Sequence, residues 1–147
     1  MTHLPPVQFK PLAKYARREG IKIIIAHGQT PVEPVVNDTN RLALEADIDI
    51  LAHPGLITDA DTIKAQERGI FLEITSRSGH SQSNNHVAAQ ARKFSAKLIL
   101  NNDSHRPQDI ISPQELIEVG IKSGLNNTEI EKIYTEVSAF LKKKESR

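Results

Sequence analysis

The sequence predicts an α/β fold built on a parallel sheet, and two patterns lead to that prediction. Short apolar segments alternate with helical segments along all 147 residues, which is typical of strand–helix units with parallel pairing. The apolar segments hold almost no polar residues, as expected for strands that are buried on both faces. No low-complexity linker divides the chain, and we therefore interpret residues 1–147 as one domain.

The individual elements are predicted from their apolar patterns and from their start and stop signals. Strands are predicted at residues 21–26, 48–52, 70–74 and 97–100. Helices are predicted at residues 6–19, 38–46, 58–69, 85–95, 112–124 and 128–143. Thr58 and Ser112 have the spacing of capping boxes. Three of the helices stop at a glycine, namely Gly20, Gly69 and Gly124.

The composition excludes several classes of protein. The chain has 19 basic and 18 acidic residues, so its formal charge of +1 implies no general attraction to nucleic acid or membranes. It has no cysteine, which excludes disulfides and thiolate chemistry. The longest apolar run, residues 23–26, is too short for a membrane span, and no signal peptide is recognisable, so we expect a cytoplasmic protein. The three lysines at 142–144 are interpreted as a solvated helix end.

Polar side chains follow each predicted strand near the point where it ends. They are His27, His53, Arg77, His80, Asp103 and His105. Because the carboxyl ends of parallel strands open on one face, where such folds bind ligands, we expect these side chains to lie together. Imidazole and carboxylate groups in combination suit zinc, manganese or iron.

Other interpretations of these residues carry less weight. A single histidine at a strand end is more often structural, but several strands ending in this way indicate a site. A serine hydrolase is disfavoured because Ser104 lies directly between Asp103 and His105, and no nucleophile elbow or phosphate loop is present. His86, inside a predicted helix, is interpreted as a structural or surface residue. The face taken by Glu73 depends on the strand register, which the sequence leaves open.

The order of these motifs resembles that of a known family. The motifs are Ala-His-Gly at 26–28, Asp-Ile-Leu-Ala-His-Pro-Gly at 49–55, Phe-Leu-Glu-Ile at 71–74, Arg-Ser-Gly-His at 77–80 and Asn-Asp-Ser-His at 102–105. Together they resemble the later motifs of the polymerase-and-histidinol-phosphatase (PHP) domain family, and most closely its histidinol-phosphatase-like branch. The resemblance covers nearly the whole chain and implies the carboxy-terminal part of a distorted (β/α)7 TIM-like barrel.

The resemblance also implies an activity and a site. The implied activity is that of a metal-dependent phosphoesterase that hydrolyses a small phosphomonoester, with two or three zinc, manganese or iron ions in the complete family site. His27, His53, Asp103 and His105 would be the metal-binding and catalytic residues. Arg77 and His80 would contact the phosphate of the small phosphorylated substrate.

The sequence departs from the family at its amino-terminal side. A His-x-His strand and a Glu that bridges two metals are absent, so we expect a truncated chain with fewer metal ions and impaired activity. His3 is expected near the rim of the site without being a ligand. An exposed sheet would favour a homo-oligomer or a complementing amino-terminal segment, while neither membrane nor nucleic acid is expected as a partner. Two alternatives stay open, namely a non-catalytic or split-subunit PHP remnant and a PHP-type nuclease or nucleotide phosphoesterase.

Overall fold

The structure, a computed structural model, describes residues 5–146, so His3 lies outside the described part. Four strands alternate with helices, which confirms the predicted α/β class. The strands are β1 (Ile25–His27), β2 (Ile50–Ala52), β3 (Phe71–Thr75) and β4 (Leu98–Asn101). The helices are α1 (Phe9–Arg18), α2 (Thr39–Glu45), α3 (Asp59–Arg68), α4 (Asn84–Phe94), α5 (Pro113–Lys122) and α6 (Asn127–Glu145). Short 3-10 turns lie at Pro6–Gln8, His80–Ser83 and Pro107–Asp109.

The strands form one parallel sheet in the order β1-β2-β3-β4, which confirms the predicted parallel pairing. Ile25 lies opposite Ile50, and Leu72 lies opposite Leu98. Since every strand runs in the same direction, all four carboxyl ends lie at one edge of the sheet. Within residues 5–146 this is a four-stranded sheet in which β1 and β4 each pair with one strand, and closure into a TIM-like barrel stays a prediction.

Both faces of the sheet are buried, and α6 contributes side chains to each of them. Leu72 and Ile74 belong to the main apolar core, which also contains side chains of α4 and α6. Phe71 and Glu73 alternate with them and point to the opposite face. There the Phe71 ring packs against Phe140 of α6, with 5.2 Å between the ring centroids. Burial on both faces explains why the strands are almost continuously apolar.

Side-chain caps fix the beginnings of three helices. The Thr58 hydroxyl accepts a hydrogen bond from the Asp61 N–H at the start of α3, as predicted. Ser112 and Glu115 form the predicted reciprocal capping box at the start of α5. Asn126 and Glu129 form the same motif at the start of α6, which the sequence analysis missed. Each cap contributes roughly 1 kcal/mol to helix stability. No helix within residues 5–146 has the length and apolar character that crossing a membrane requires.

Strand β1 begins later than predicted, and several backbone groups of the residues before it bond to side chains. Arg17 Nη1 donates to the carbonyl oxygens of Ile21 and Lys22. The Ile24 N–H donates to Asp49 Oδ2 at 2.8 Å. The Ile24 carbonyl oxygen accepts from the N–H groups of Asp49 and Ile50, so backbone contact with the β2 segment begins at Ile24. The side-chain contacts satisfy backbone groups that precede this pairing.

The carboxyl end of α6 lies against the amino ends of the strands. Lys144 Nζ is 2.5 Å from Asp49 Oδ1, and Arg17 Nη2 of α1 donates to Asp49 Oδ2 at 2.7 Å. Lys22 Nζ donates to the Glu145 carbonyl oxygen. The expectation of a solvated helix end is therefore wrong for Lys144, since its side chain is 18% exposed and ion-paired.

Candidate functional site

The six polar side chains expected to share a site lie around one pocket at the carboxyl ends of the strands. The pocket has a volume of about 210 Å³. It is lined by Ile25, His27, Glu33, Ala52, His53, Arg77, His80, Asp103 and His105. The structure thus brings all the sequence-predicted site residues together, while their roles as ligands, catalytic groups or substrate contacts stay predictions.

Three imidazoles form the centre of this pocket. The ring centroid of His53 lies 4.2 Å from that of His27 and 4.3 Å from that of His80. His27 is the last residue of β1, His53 follows β2, and His80 lies in the turn after β3. The parallel order of the strands therefore places three histidines in contact although they are far apart in sequence.

Glu33 joins two of these imidazoles and was not predicted. Its Oε2 lies 3.2 Å from His27 Nε2, and its Oε1 lies 3.4 Å from His80 Nε2. Glu33 belongs to the loop between β1 and α2. This loop has no periodic pattern, so nothing in the sequence indicated where the carboxylate would point.

Asp103 lies on the other side of the pocket. Its Oδ2 is 3.5 Å from His53 Nε2 and 3.6 Å from Arg77 Nε. Arg77 Nη1 donates to the Asp103 carbonyl oxygen at 3.1 Å and contacts His105 Nδ1. His105 forms the rim, with a side chain that is 59% exposed. Asp103 and His53 both have positive φ angles, 50° and 29°, which are uncommon for residues other than glycine.

Glu73 is buried directly beneath His53. The His53 N–H donates to Glu73 Oε2 at 2.8 Å, and Asn101 Nδ2 donates to Oε1 at 2.7 Å. Burial raises the pKa of Glu73 to about 7, although these two hydrogen bonds lower it. The register of β3, which the sequence could not fix, places this carboxyl group under the pocket.

Burial favours the neutral forms of two of the central imidazoles, His53 and His27. Burial lowers the pKa of His53 to about 3, with a further decrease caused by His27 and His80. Burial also lowers the pKa of His27. His27 Nδ1 lies 2.8 Å from the Gly28 carbonyl oxygen, so the hydrogen-bond network assigns the ring hydrogen to Nδ1. Its Nε2 then presents a lone pair to Glu33, which suits a proton or a cation between the two groups.

The donor types fit a divalent ion, but their arrangement does not gather them at one point. Imidazole nitrogen and carboxylate oxygen are common ligands of zinc, manganese and iron. In the described part of the chain, no three His, Asp or Glu side chains stand where they could hold a single ion. Metal binding by His27, His53, Asp103 and His105 therefore stays a prediction.

Comparison with known proteins shows similarity in sequence to an archaeal protein and similarity in fold to a solved structure. No protein-family profile matches it. The chain is 44% identical over 132 residues to the uncharacterized protein MJ1295 of Methanocaldococcus jannaschii. That match covers 89% of this chain and 61% of the relative, so the chain spans less than two thirds of the relative's length.

The fold is similar to that of a chain in the cryo-EM structure of archaeal ribonuclease P with mature tRNA. The TM-score is 0.72, and the match covers 93% of this chain and 65% of the other. Sequence identity is 16%, so the similarity establishes a shared fold.

This comparison corrects the functional expectations from the sequence. The expected phosphoesterase acting on a small phosphomonoester is wrong, since the matching fold occurs in a ribonuclease P structure that contains tRNA. The same finding corrects the expected partners. These were a small phosphorylated substrate and either a second copy of the chain or a complementing amino-terminal segment, and nucleic acid was not expected. The description as a histidinol-phosphatase-like phosphoesterase is corrected with them, while binding of zinc or manganese stays a prediction. The physical reason is that one fold serves unrelated functions, so polar residues at the strand ends do not by themselves determine the chemistry. Membership of the PHP family stays an expectation.

Proposed function

We propose that this chain is a non-catalytic, RNA-associated subunit of an RNA–protein complex. The observation that carries this proposal is the fold similarity, at a TM-score of 0.72 over 93% of the chain, to a protein in the ribonuclease P structure with tRNA. It agrees with the alternative interpretation of the sequence as a non-catalytic or split-subunit protein. RNA and protein surfaces of a larger assembly would then be its partners.

The contacts within the pocket suit a structural role. Glu33 contacts both His27 and His80, and Asp103 contacts both His53 and Arg77. These two carboxylates link loops that follow all four strands. A network of this kind fixes the relative positions of neighbouring loops, because each polar group is held by a partner from another loop.

Exposed apolar side chains near the sheet edge suit contact with a protein neighbour. On α1, Leu12 is 39% exposed and Tyr15 is 54% exposed. Ile25 of β1, at the edge of the sheet, is 47% exposed. Strand edges and apolar side chains that remain exposed are typical of surfaces that a partner covers.

The test is a comparison of RNA binding with ester hydrolysis by the 147-residue chain. Fluorescence anisotropy with labelled tRNA should show binding that weakens as the salt concentration rises, because displaced counterions drive the association. A DNA duplex of similar length serves as the control for preference. We expect no release of nitrophenol from p-nitrophenyl phosphate above background, with or without added manganese or zinc.

The opposite result would be clear. Absence of tRNA binding, together with phosphate ester turnover that His53→Ala or Asp103→Ala abolishes, would contradict the proposal. Both substitutions require a check of folding by circular dichroism, because His53 is buried and Asp103 contacts three other residues.

A further inference from the structure

We infer that a basic cleft at the amino ends of the strands binds the phosphate backbone of RNA. This inference rests on the proposed function and assigns it a surface, at the end of the strands opposite to the pocket that contains His27, His53 and His80. The basic cleft has a volume of about 460 Å³. It is lined by Asp49, Arg68, Gly69, Phe71, Lys97, Glu136, Ala139, Phe140, Lys143 and Lys144.

The end of α6 builds one wall of the basic cleft. The Lys144–Asp49 ion pair holds this end against the sheet. Lys144 Nζ lies 5.4 Å from the centroid of the Phe140 ring, and Lys97 Nζ lies 5.5 Å from that of Phe71. The packed Phe71–Phe140 pair thus forms an apolar floor that orients two ammonium groups.

Four of the six charged residues of the basic cleft are cations, and three of these cations form no salt bridge within residues 5–146. Lys97 and Lys143 are exposed, and neither forms a salt bridge with a carboxylate of residues 5–146. Arg68 is also exposed and donates one N–H to the Leu44 carbonyl oxygen. The two carboxylates of the cleft are already paired with cations. Asp49 is bound by Arg17 and Lys144, and Glu136 lies 3.8 Å from Lys132.

Free cations around an open cleft match the chemistry of a phosphodiester backbone. Lysine ammonium groups act as point charges that contact phosphates without reading sequence. The pocket at the other end of the sheet differs, because Glu33 and Asp103 place negative charge at its mouth. Arg77, a cation of that pocket, is paired with Asp103, whereas the basic cleft carries cations that are unpaired in the described part of the chain and would attract RNA phosphates.

The test is tRNA binding by charge-reversal variants, measured by fluorescence anisotropy over a series of salt concentrations. Lys97→Glu and Lys143→Glu should each weaken binding on the order of 10-fold and lower the salt dependence by about one phosphate contact. Arg106→Glu is the matched control. It reverses an exposed charge near the carboxyl ends of the strands and should change the affinity less than about twofold. Thermal unfolding followed by circular dichroism confirms that each variant is folded.

The outcomes separate this inference from the proposed function. If the wild-type chain binds tRNA and only Arg106→Glu weakens it, the basic cleft is the wrong surface and the proposed function stands. If the wild-type chain does not bind tRNA even at about 50 mM salt, both fail. If Lys143→Glu loses binding to a polyglutamate peptide but keeps wild-type affinity for tRNA, an acidic protein segment is the partner and this inference is overturned.

Discussion

Glu73 and His53 are neighbouring buried groups whose pKa values shift in opposite directions. The pKa of Glu73 rises from 4.5 to about 7, so between these values the folded state binds more protons and stability falls as pH rises. The pKa of His53 falls from 6.5 to about 3, so between these values the unfolded state binds more protons and stability rises with pH. Over the shared range the two effects oppose each other and flatten the pH dependence.

Replacing Glu73 should expose the effect of His53 alone. We expect the stability of Glu73→Gln, relative to wild type, to improve by about 3 kcal/mol as the pH rises from about 4.5 to about 7. The altered hydrogen bonds to His53 and Asn101 lower the stability of the variant by a constant amount, which does not change how the stability difference varies with pH. The measurement is urea denaturation at several pH values. Glu118→Gln, on the exposed part of α5, is the control and should follow the wild-type profile.

The sequence predicts the positions of the strand-end histidines in the site better than those of Glu33 and Glu73. His27 and His53 come directly at strand ends, and the common direction of the strands is enough to predict that they meet. Glu33 comes from a loop, and the position of Glu73 depends on register. For these carboxylates only the packed structure determines which neighbours they contact, because loop paths and strand register are set by tertiary contacts.

Gly55, in the Pro-Gly motif after β2, lies where two loops approach each other closely. Its φ is +64°, and a Cβ atom there would lie 2.1 Å from the Gln29 carbonyl oxygen. Gly69, after α3, has nearly the same φ of +66° but open space around the Cβ position. The first glycine lets two loops approach, whereas the second only ends a helix.

The two glycines form a matched pair for mutation. Gly69→Ala should cost about 1 kcal/mol in the free energy of unfolding, from the left-handed backbone alone. Gly55→Ala should cost roughly 1–3 kcal/mol more, because the loop of Gln29 must move. Chemical denaturation of both variants measures the difference. Equal costs would show that the loop yields freely and that the close approach is unimportant.

The regular elements were predicted better than their ends. Alternating apolar strands and capped helices identified the order of elements, since periodicity and capping are local properties of the sequence. The length of β1 was overestimated, and Arg17 and Asp49 bond to backbone groups before it. The cap at Asn126 was missed although its pattern was present in the sequence.

At the scale of the whole molecule, the strand-end residues predicted a pocket but the wrong function. A pocket forms wherever parallel strands end together, and its residue types alone do not determine the chemistry or the partner. The sequence also does not show which surface charges are unpaired or which of them lie together. Lys97 lies before β4 and Lys143 lies in the last turn of α6, and only the fold places them in one cleft.

The attachment of α6 to Asp49 also has a consequence for the order of folding. Every strand pairs with the next strand along the chain, so the sheet can assemble from short loops. The contact between Lys22 and Glu145 instead closes a separation of 123 residues. Closing a long loop costs more conformational entropy, and the contacts that offset this cost form only once the sheet exists. The end of α6 should therefore dock after the main folding barrier.

Asp49→Ala tests this order by stopped-flow folding kinetics. Removing the ties to Arg17, Ile24 and Lys144 should cost about 2 kcal/mol in stability. If docking is late, nearly all of this cost should appear as an unfolding rate about 30-fold higher, with little change in the folding rate. Asp47→Ala, at an exposed partner of Arg17, is the control and should change both rates little. A folding rate slowed by Asp49→Ala, and slowed equally by Lys144→Ala, which removes only the tie from α6, would mean that the two ends of the chain meet before the sheet is complete.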